Sequence, residues 1–341
     1  MRERCVRVVL AVVVLFFIGG CTGKEEVPNH AVIEEEIERE GKDYIVIGYS
    51  QVGSESDYRL ANTESLKSTF TAENGYYLLF EDAQQKQENQ IKAIRNFILQ
   101  EVDYIILDPI VETGWDAVLK EAKEAGIPVL LTDRSVRVED ERLYTCWIGS
   151  DFRKEGQMAG EWLKKYLQQQ NRQNERIRIV TLQGTLNSSA QIGRTKGFRD
   201  VFKKQKNWVM LDYQSGDFTQ MKGQEVMEYL LDTYEKIDVV VSENDNMTFG
   251  AIDAMKEAGR PFGTGGGIIV ISFDAVRASF KHMMAGEINA DFECNPLLGP
   301  MVEQVIRDLE DEKDVDKIQY VEESYYDTSM DLNSIMKSRE Y

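Results

Sequence analysis

The chain is predicted to be an α/β protein of two similar lobes, each a largely parallel sheet with helices on both faces. Three observations predict it. First, short β-rich runs alternate with helical segments from residue 44 onward, the rhythm of consecutive βα units. Second, that rhythm restarts after Ser150. Third, runs such as Ile268–Phe273 (IIVISF) and Asp238–Ser242 (DVVVS) are apolar at successive positions, as in strands buried on both faces. A length of 341 residues also exceeds what one hydrophobic core usually supports.

In the first half, strands are expected at Tyr44–Tyr49, Tyr76–Glu81, Tyr104–Asp108 and Val129–Thr132. Helices are expected at Ser56–Glu73, Asp82–Glu101 and Trp115–Ala125, the second amphipathic through Ile91, Ile94, Phe97 and Ile98. In the second half, strands are expected at Arg178–Leu182, Val209–Tyr213, Val239–Ser242 and Ile268–Phe273. Helices are expected at Glu155–Gln170, Gln191–Lys204, Gln220–Tyr234, Met247–Ala258, Ser279–Ala285 and Leu298–Asp311.

The N-terminal stretch reads differently. Arg2, Arg4 and Arg7 precede an apolar run, Val8 to Ile18. At about 11 residues the run is too short to span a bilayer and suits a signal-peptide core. Ile18-Gly19-Gly20-Cys21 resembles a lipobox, which makes 1–20 a lipoprotein signal peptide and Cys21 the lipidated residue. Residues 21–43 are polar and acidic and read as a tether. An extracytoplasmic protein anchored to the cell membrane by lipid is expected.

Net charge is −19, with no basic stripe, which argues against a nucleic-acid partner. The four cysteines form no CxxC pair, and the only histidines are His30 and His282, so neither a zinc site nor any other metal or cofactor is expected. Cys146 and Cys294 are expected to be free and buried, with a disulfide between them as the alternative.

Ligands of open parallel sheets sit beyond the carboxyl ends of the strands. Here those ends lead into Glu55, Tyr58 and Arg59, into Asp133-Arg134, into Gly184 followed by Arg194, into Asn244, and into Asp274. Carboxylates accept hydroxyl protons, whereas Arg and Asn donate in planar geometry. A phosphate or carboxylate ligand would call for cationic groups and helix N-termini alone. The mixed set suits a neutral polyol. Each aspartate could also serve as a helix cap or turn residue; their recurrence at successive strand ends favours a site.

Specific runs then carry a resemblance. They are SQVGSES (50–56), QQKQENQIKA (84–93), TGW (113–115), LKEAK (119–123), DRS (133–135), LQGT (182–185), SGDFT (215–219) and Asn244-Asp245. Over residues 44 to about 330 the chain resembles the type I sugar-binding proteins of ABC importers, the ribose- and galactose-binding family, and within it the galactofuranose-binding members. The resemblance implies two Rossmann-like lobes joined by a three-strand hinge, the periplasmic binding protein type I fold. It implies crossings near 148, 293 and 318, so that 44–147 plus 295–318 form the N-terminal lobe and 149–293 plus 319–335 the C-terminal lobe.

By the same resemblance, Asp133 and Arg134 bind ligand hydroxyls from the N-terminal lobe, and Arg194, Asn244 and Asp274 from the C-terminal lobe. Tyr58 and Phe218 stack on the ring faces, Arg59 and Glu55 lie at the cleft edge, and Glu293 reaches the ligand from a hinge crossing. Tyr58 stands where the galactofuranose-binding members look to carry tryptophan. The implied function is capture of a monosaccharide by a monomer that closes about its hinge and hands the sugar to an ABC permease. The alternative is presentation of bound sugar to a membrane receptor or sensor kinase. An enzyme is not expected: no carboxylate spacing marks a glycosidase, and no G-x-G-x-x-G follows a first strand. A leader where a sugar-responsive repressor carries its helix-turn-helix argues against that role.

Overall fold

A computed structural model describes residues 44–341. The expected signal peptide, Cys21 and the expected tether lie outside the described residues. No described helix is long and apolar enough to cross a membrane.

The first lobe is built on β1 (Ile45–Gln51), β2 (Tyr76–Asp82), β3 (Tyr104–Leu107), β4 (Val129–Thr132) and β5 (Cys146–Gly149). Its helices are α1 (Asp57–Thr69), α2 (Gln87–Leu99) and α3 (Asp116–Glu124). The chain then crosses into the second lobe, with α4 (Phe152–Gln169), β6 (Ile177–Gln183), α5 (Ser189–Phe202) and β7 (Trp208–Ser215). There follow α6 (Gln220–Thr233), β8 (Val239–Ser242), α7 (Asp245–Glu257), β9 (Ile269–Asp274), α8 (Arg277–Met284) and β10 (Ala290–Glu293). It returns for α9 (Gly299–Glu310) and β11 (Ile318–Tyr320), and leaves again for β12 (Tyr325–Asp327) and α10 (Leu332–Ser338).

Two six-stranded sheets result, in the orders β11-β5-β4-β3-β1-β2 and β12-β10-β9-β8-β6-β7. All pairings are parallel except β10 with β12. The predicted α/β architecture of two parallel-sheet lobes is therefore observed.

Local chemistry explains the element ends. Side chains of Ser56, Asp151, Ser188, Thr219 and Asn244 each accept from a backbone N–H in the first turn of the following helix, satisfying donors that have no intrahelical partner. The helix expected from Asp82 begins instead at Gln87. Gln84 and Gln85 have φ of 52° and 59°, left-handed values that a helix cannot include. Four-residue strands such as β3 and β4 are buried at every position because helices cover both faces.

The lobes are drawn together. Asp57 N donates to Asn246 Oδ1 (3.0 Å), Ser135 N to Ser189 Oγ (2.9 Å), and Glu112 N to Asn187 O (2.9 Å). These are contacts of a closed cleft.

Candidate functional site

Between the lobes lies a small cavity lined by Glu55, Tyr58, Arg59, Asp133, Arg134, Arg194, Phe218, Asn244 and Asp274 together with Ser56, Phe152, Ala190 and Cys294. Of the residues expected from sequence, all but Glu293 are brought together here. The strands deliver them: β4 ends immediately before Asp133, β8 two residues before Asn244, and β9 at Asp274.

The floor of the first lobe is a charge network. Arg59 contacts Asp108 and Asp133, and its Nε lies 3.4 Å from Glu55 Oε1. Tyr58 OH donates to Asp133 Oδ1 (3.0 Å). The Arg134 guanidinium stands 5.1 Å from the centre of the Phe218 ring, a contact from one lobe to the other. Its Nη1 donates to the Ile110 carbonyl at 3.2 Å. Burial, and then the neighbouring Arg59, lowers the pKa of Arg134. Burial also works against the charge on Arg59, but Asp108, Asp133 and Glu55 outweigh it and its pKa is raised. Asp108 is pushed up to about 8, chiefly by burial and against the pull of Arg59. Three carboxylates here face two guanidinium groups, and a proton on Asp108 meets the surplus.

The second lobe is organised around Arg194. Nε donates to Glu155 Oε2 (2.7 Å), Nη1 to the Glu243 carbonyl (2.5 Å) and Nη2 to Asp274 Oδ1 (3.2 Å). Its guanidinium lies 5.4 Å from the Phe152 ring centre and 5.1 Å from that of Phe273. Asp274 is lifted to about 7 and Glu155 to about 7, in both cases by burial ahead of the opposing Arg194. Close helix packing makes the arrangement possible. A Cβ on Gly156 would fall 2.2 Å from the Arg194 carbonyl oxygen, and one on Gly197 2.0 Å from that of Arg153. Phe218 needs similar room, since a Cβ on Gly184 would meet its ring at 1.8 Å.

Backbone strain gathers at the same place. Asp133 (φ 53°), Phe218 (63°) and Asp274 (105°) all take positive φ, which costs a non-glycine residue of order 1 kcal/mol or more and collects at functional sites. Asn244 is partly committed to structure. Its Oδ1 caps α7 through Met247 N (2.9 Å) and its Nδ2 donates to the Phe218 carbonyl (3.1 Å), which leaves one amide proton for a ligand.

Two buried polar atoms of lining residues have no hydrogen-bond partner among the described residues: Arg134 Nε, a donor, and Glu55 Oε2, an acceptor. An orphaned buried polar group costs about 1–3 kcal/mol, so the cavity suits a ligand that both gives and takes hydrogen bonds.

Glu293 does not belong to this set. Its Oε1 accepts from Arg339 Nη1 (2.5 Å) and Tyr341 OH (3.0 Å), and its Oε2 from Ser324 N (3.0 Å) and Tyr326 OH (3.2 Å). The carboxylate is consumed in fastening the C-terminal segment. Sequence reasoning missed Asp108, Glu155 and Cys294. Asp108 follows β3 and could have been found by the strand-end rule. Glu155 reads as an ordinary acidic residue in a first helical turn. Cys146 and Cys294 are both free and buried, with Ser150 Oγ 3.3 Å from the Cys294 sulfur.

Two hinged α/β lobes closed over a polar, aromatic-lined cavity define a bilobal solute-binding protein. The comparisons agree. The chain belongs to the periplasmic binding protein family, whose domain model matches residues 47–294. It is therefore of an extracytoplasmic class. The galactofuranose-binding protein YtfQ of Escherichia coli is 45% identical over 261 residues, covering 75% of this chain and 79% of that protein. A Mycobacterium smegmatis protein solved with β-D-fucofuranose aligns with a TM-score of 0.82 at 39% identity, over 87% of this chain and 95% of the other. The binding component of the Shewanella sp. ANA-3 arabinose ABC transporter, solved with α- and β-L-arabinofuranose, aligns with a TM-score of 0.80 at 41% identity, over 86% and 95%.

Proposed function

We propose that this protein captures an uncharged aldose in its five-membered, furanose ring form and releases it unaltered to the permease of an ABC importer. In this reading it is held at the outer membrane face by lipid on Cys21 and acts as a monomer, since one chain supplies the whole cavity. The observation that carries the reading is the pairing of unmet partners on buried cavity residues, a donor on Arg134 and an acceptor on Glu55, within a space too small for an oligosaccharide. A sugar hydroxyl is both donor and acceptor and can satisfy each.

In the proposed complex, Asp133, Asp274 and Glu55 accept ligand hydroxyls, while Arg59, Arg134, Arg194 and Asn244 donate to ring and hydroxyl oxygens. Tyr58 and Phe218 cover the apolar C–H faces of the ring. Sugar bound to both lobes favours closure by its contacts to each. The furanose preference rests on the relatives at 39–45% identity, whose names and bound ligands are furanoses.

A thermal-shift panel of galactose, arabinose, fucose, ribose, fructose and myo-inositol tests this. A ligand at 100 times its Kd stabilises the folded state by about 2.7 kcal/mol, several degrees in Tm. Shifts by galactose, arabinose or fucose are expected. NMR of the bound, isotope-labelled sugar is expected to report the furanose ring. No shift with any sugar, or conversion of one into a product, would end the reading.

A further inference from the structure

We propose that Glu155, Cys294 and Glu323 form a site for one divalent transition-metal ion of the zinc class at the hinge, adjoining the sugar cavity at Cys294. These three are the one group of potential metal ligands among the described residues whose donor atoms all lie within 4.8 Å of one another. Sequence spacing conceals it, because each ligand comes from a different place in the chain. Glu155 stands in the first turn of α4, just past the first crossing. Cys294 lies on the second crossing after β10, and Glu323 on the third, between β11 and β12.

An independent observation points to a missing ligand. Glu155 is 4% exposed, and its Oε1 has no hydrogen-bond partner, while Oε2 is held by Arg194 at 2.7 Å. A carboxylate fixed by one oxygen, with the other buried and unpaired, has the form of a metal ligand oriented by a neighbour. Glu323 is fixed in the same manner: its Oε1 accepts from Ser150 Oγ (2.5 Å) and Asn295 N (2.8 Å). Charge agrees as well. Glu155 and Asp274 share the single guanidinium of Arg194, with Glu323 close by Glu155, and a dication would offset the excess of carboxyl groups.

An entry path is offered by a second cleft, which shares no lining residue with the sugar cavity and is lined by Asp151, Glu155, Tyr320, Glu323 and Ser324 among others. One thiolate and two carboxylates favour zinc over calcium or magnesium, which take all-oxygen shells. Binding replaces the Cys294 S–H bond by a sulfur–metal bond and releases the proton to solvent. A fourth position is left for water or the Ser150 hydroxyl.

The test uses the full chain after chelator treatment, titrated with ZnCl2 by calorimetry and with CoCl2 by absorbance. One zinc per chain is expected, with a thiolate-to-cobalt charge-transfer band. Cys294→Ser and Glu323→Gln are expected each to weaken zinc binding by about tenfold or more and Cys294→Ser to abolish the band. Both variants should keep the metal-free Tm within a few degrees of the parent. Among the described residues, His282, paired with Glu287 at 2.7 Å, and Cys146 are the competing ligands. Their variants His282→Ala and Cys146→Ser should bind zinc as the parent does. No zinc uptake at micromolar concentration, uptake unchanged in Cys294→Ser, or uptake lost in His282→Ala would overturn the proposal. Cys294 also lines the sugar cavity, so sugar binding by both variants is read in parallel by the thermal-shift panel, while zinc uptake alone decides this proposal.

Discussion

Replacing Arg134 with alanine isolates the ligand's share of the network. Arg134 is 2% exposed and makes one hydrogen bond to protein, to the Ile110 carbonyl at 3.2 Å. Its ion contacts are long, 3.9 Å to Glu55 and 3.9 Å from Nε to Asp133 Oδ2, and Nε has no hydrogen-bond partner. Deletion therefore removes little from the apo fold, and also removes repulsion with Arg59. From the complex it removes one or two charge-assisted hydrogen bonds to sugar, each worth about 1.5–3 kcal/mol, and the cover over Phe218. A loss of about 2–4 kcal/mol corresponds to roughly 30-fold to 1,000-fold in Kd. Calorimetry against the best sugar of the panel measures it, with Tm of the free protein as control. Arg134→Lys keeps the charge but not the planar fork and should fall between parent and alanine. An alanine variant with unchanged Tm and a Kd within threefold of the parent would refute the assignment of Arg134 as a ligand donor.

Two further outcomes follow from the geometry. Asn246→Ala removes the acceptor for Asp57 N across the closed cleft. One such bond is worth about 1 kcal/mol, so sugar affinity should fall about fivefold, seen in stopped-flow fluorescence as faster release; an unchanged off-rate would mean that this contact does not hold the lobes shut. Stability should also rise on acidification. Burial lifts Asp108 to about 8, Glu243 to about 8 and Asp274 to about 7. Between about pH 5 and pH 8 the folded state thus keeps protons that the unfolded state has released. Stability then falls as pH rises through this window, by at most about 1.4 kcal/mol per pH unit for each group. Scanning calorimetry should give a higher Tm at pH 5.5 than at pH 8; a flat or opposite trend would contradict the burial of these charged groups.

Sequence was most legible where burial was two-sided and an apolar run was unbroken. Val129–Thr132 and Val239–Ser242 match the strand ends to the residue because unbroken apolar runs end there at polar residues, Thr132-Asp133 and Ser242-Glu243. The short strands β5, β10, β11 and β12 escaped. Their sequences, CWIG, ADFE, IQY and YYD, are too short for an alternation or apolar run to stand out from the surrounding chain. Only pairing partners from distant chain segments make them strands. The site divides along the same line. Asp133, Asn244 and Asp274 follow from the strand-end rule and Arg194 from the helix after β6, all within local pattern. Glu155 and Cys294 depend on where the crossings converge. Glu293 was misplaced because its partners Arg339 and Tyr341 come from the C-terminal segment, which carries no visible pairing signal.

The path of the chain constrains how the protein comes into being. The first sheet takes its edge strand β11 from residues 318–320, and Leu66 and Phe70 find Val302 and Ile306 of α9 in their cluster. Until nearly the whole polypeptide has emerged, that half displays an uncovered greasy flank and an open backbone edge. A chain that cannot finish its first half early stays pliable for longer, which suits threading through a narrow membrane pore and asks for protection against clumping on the way.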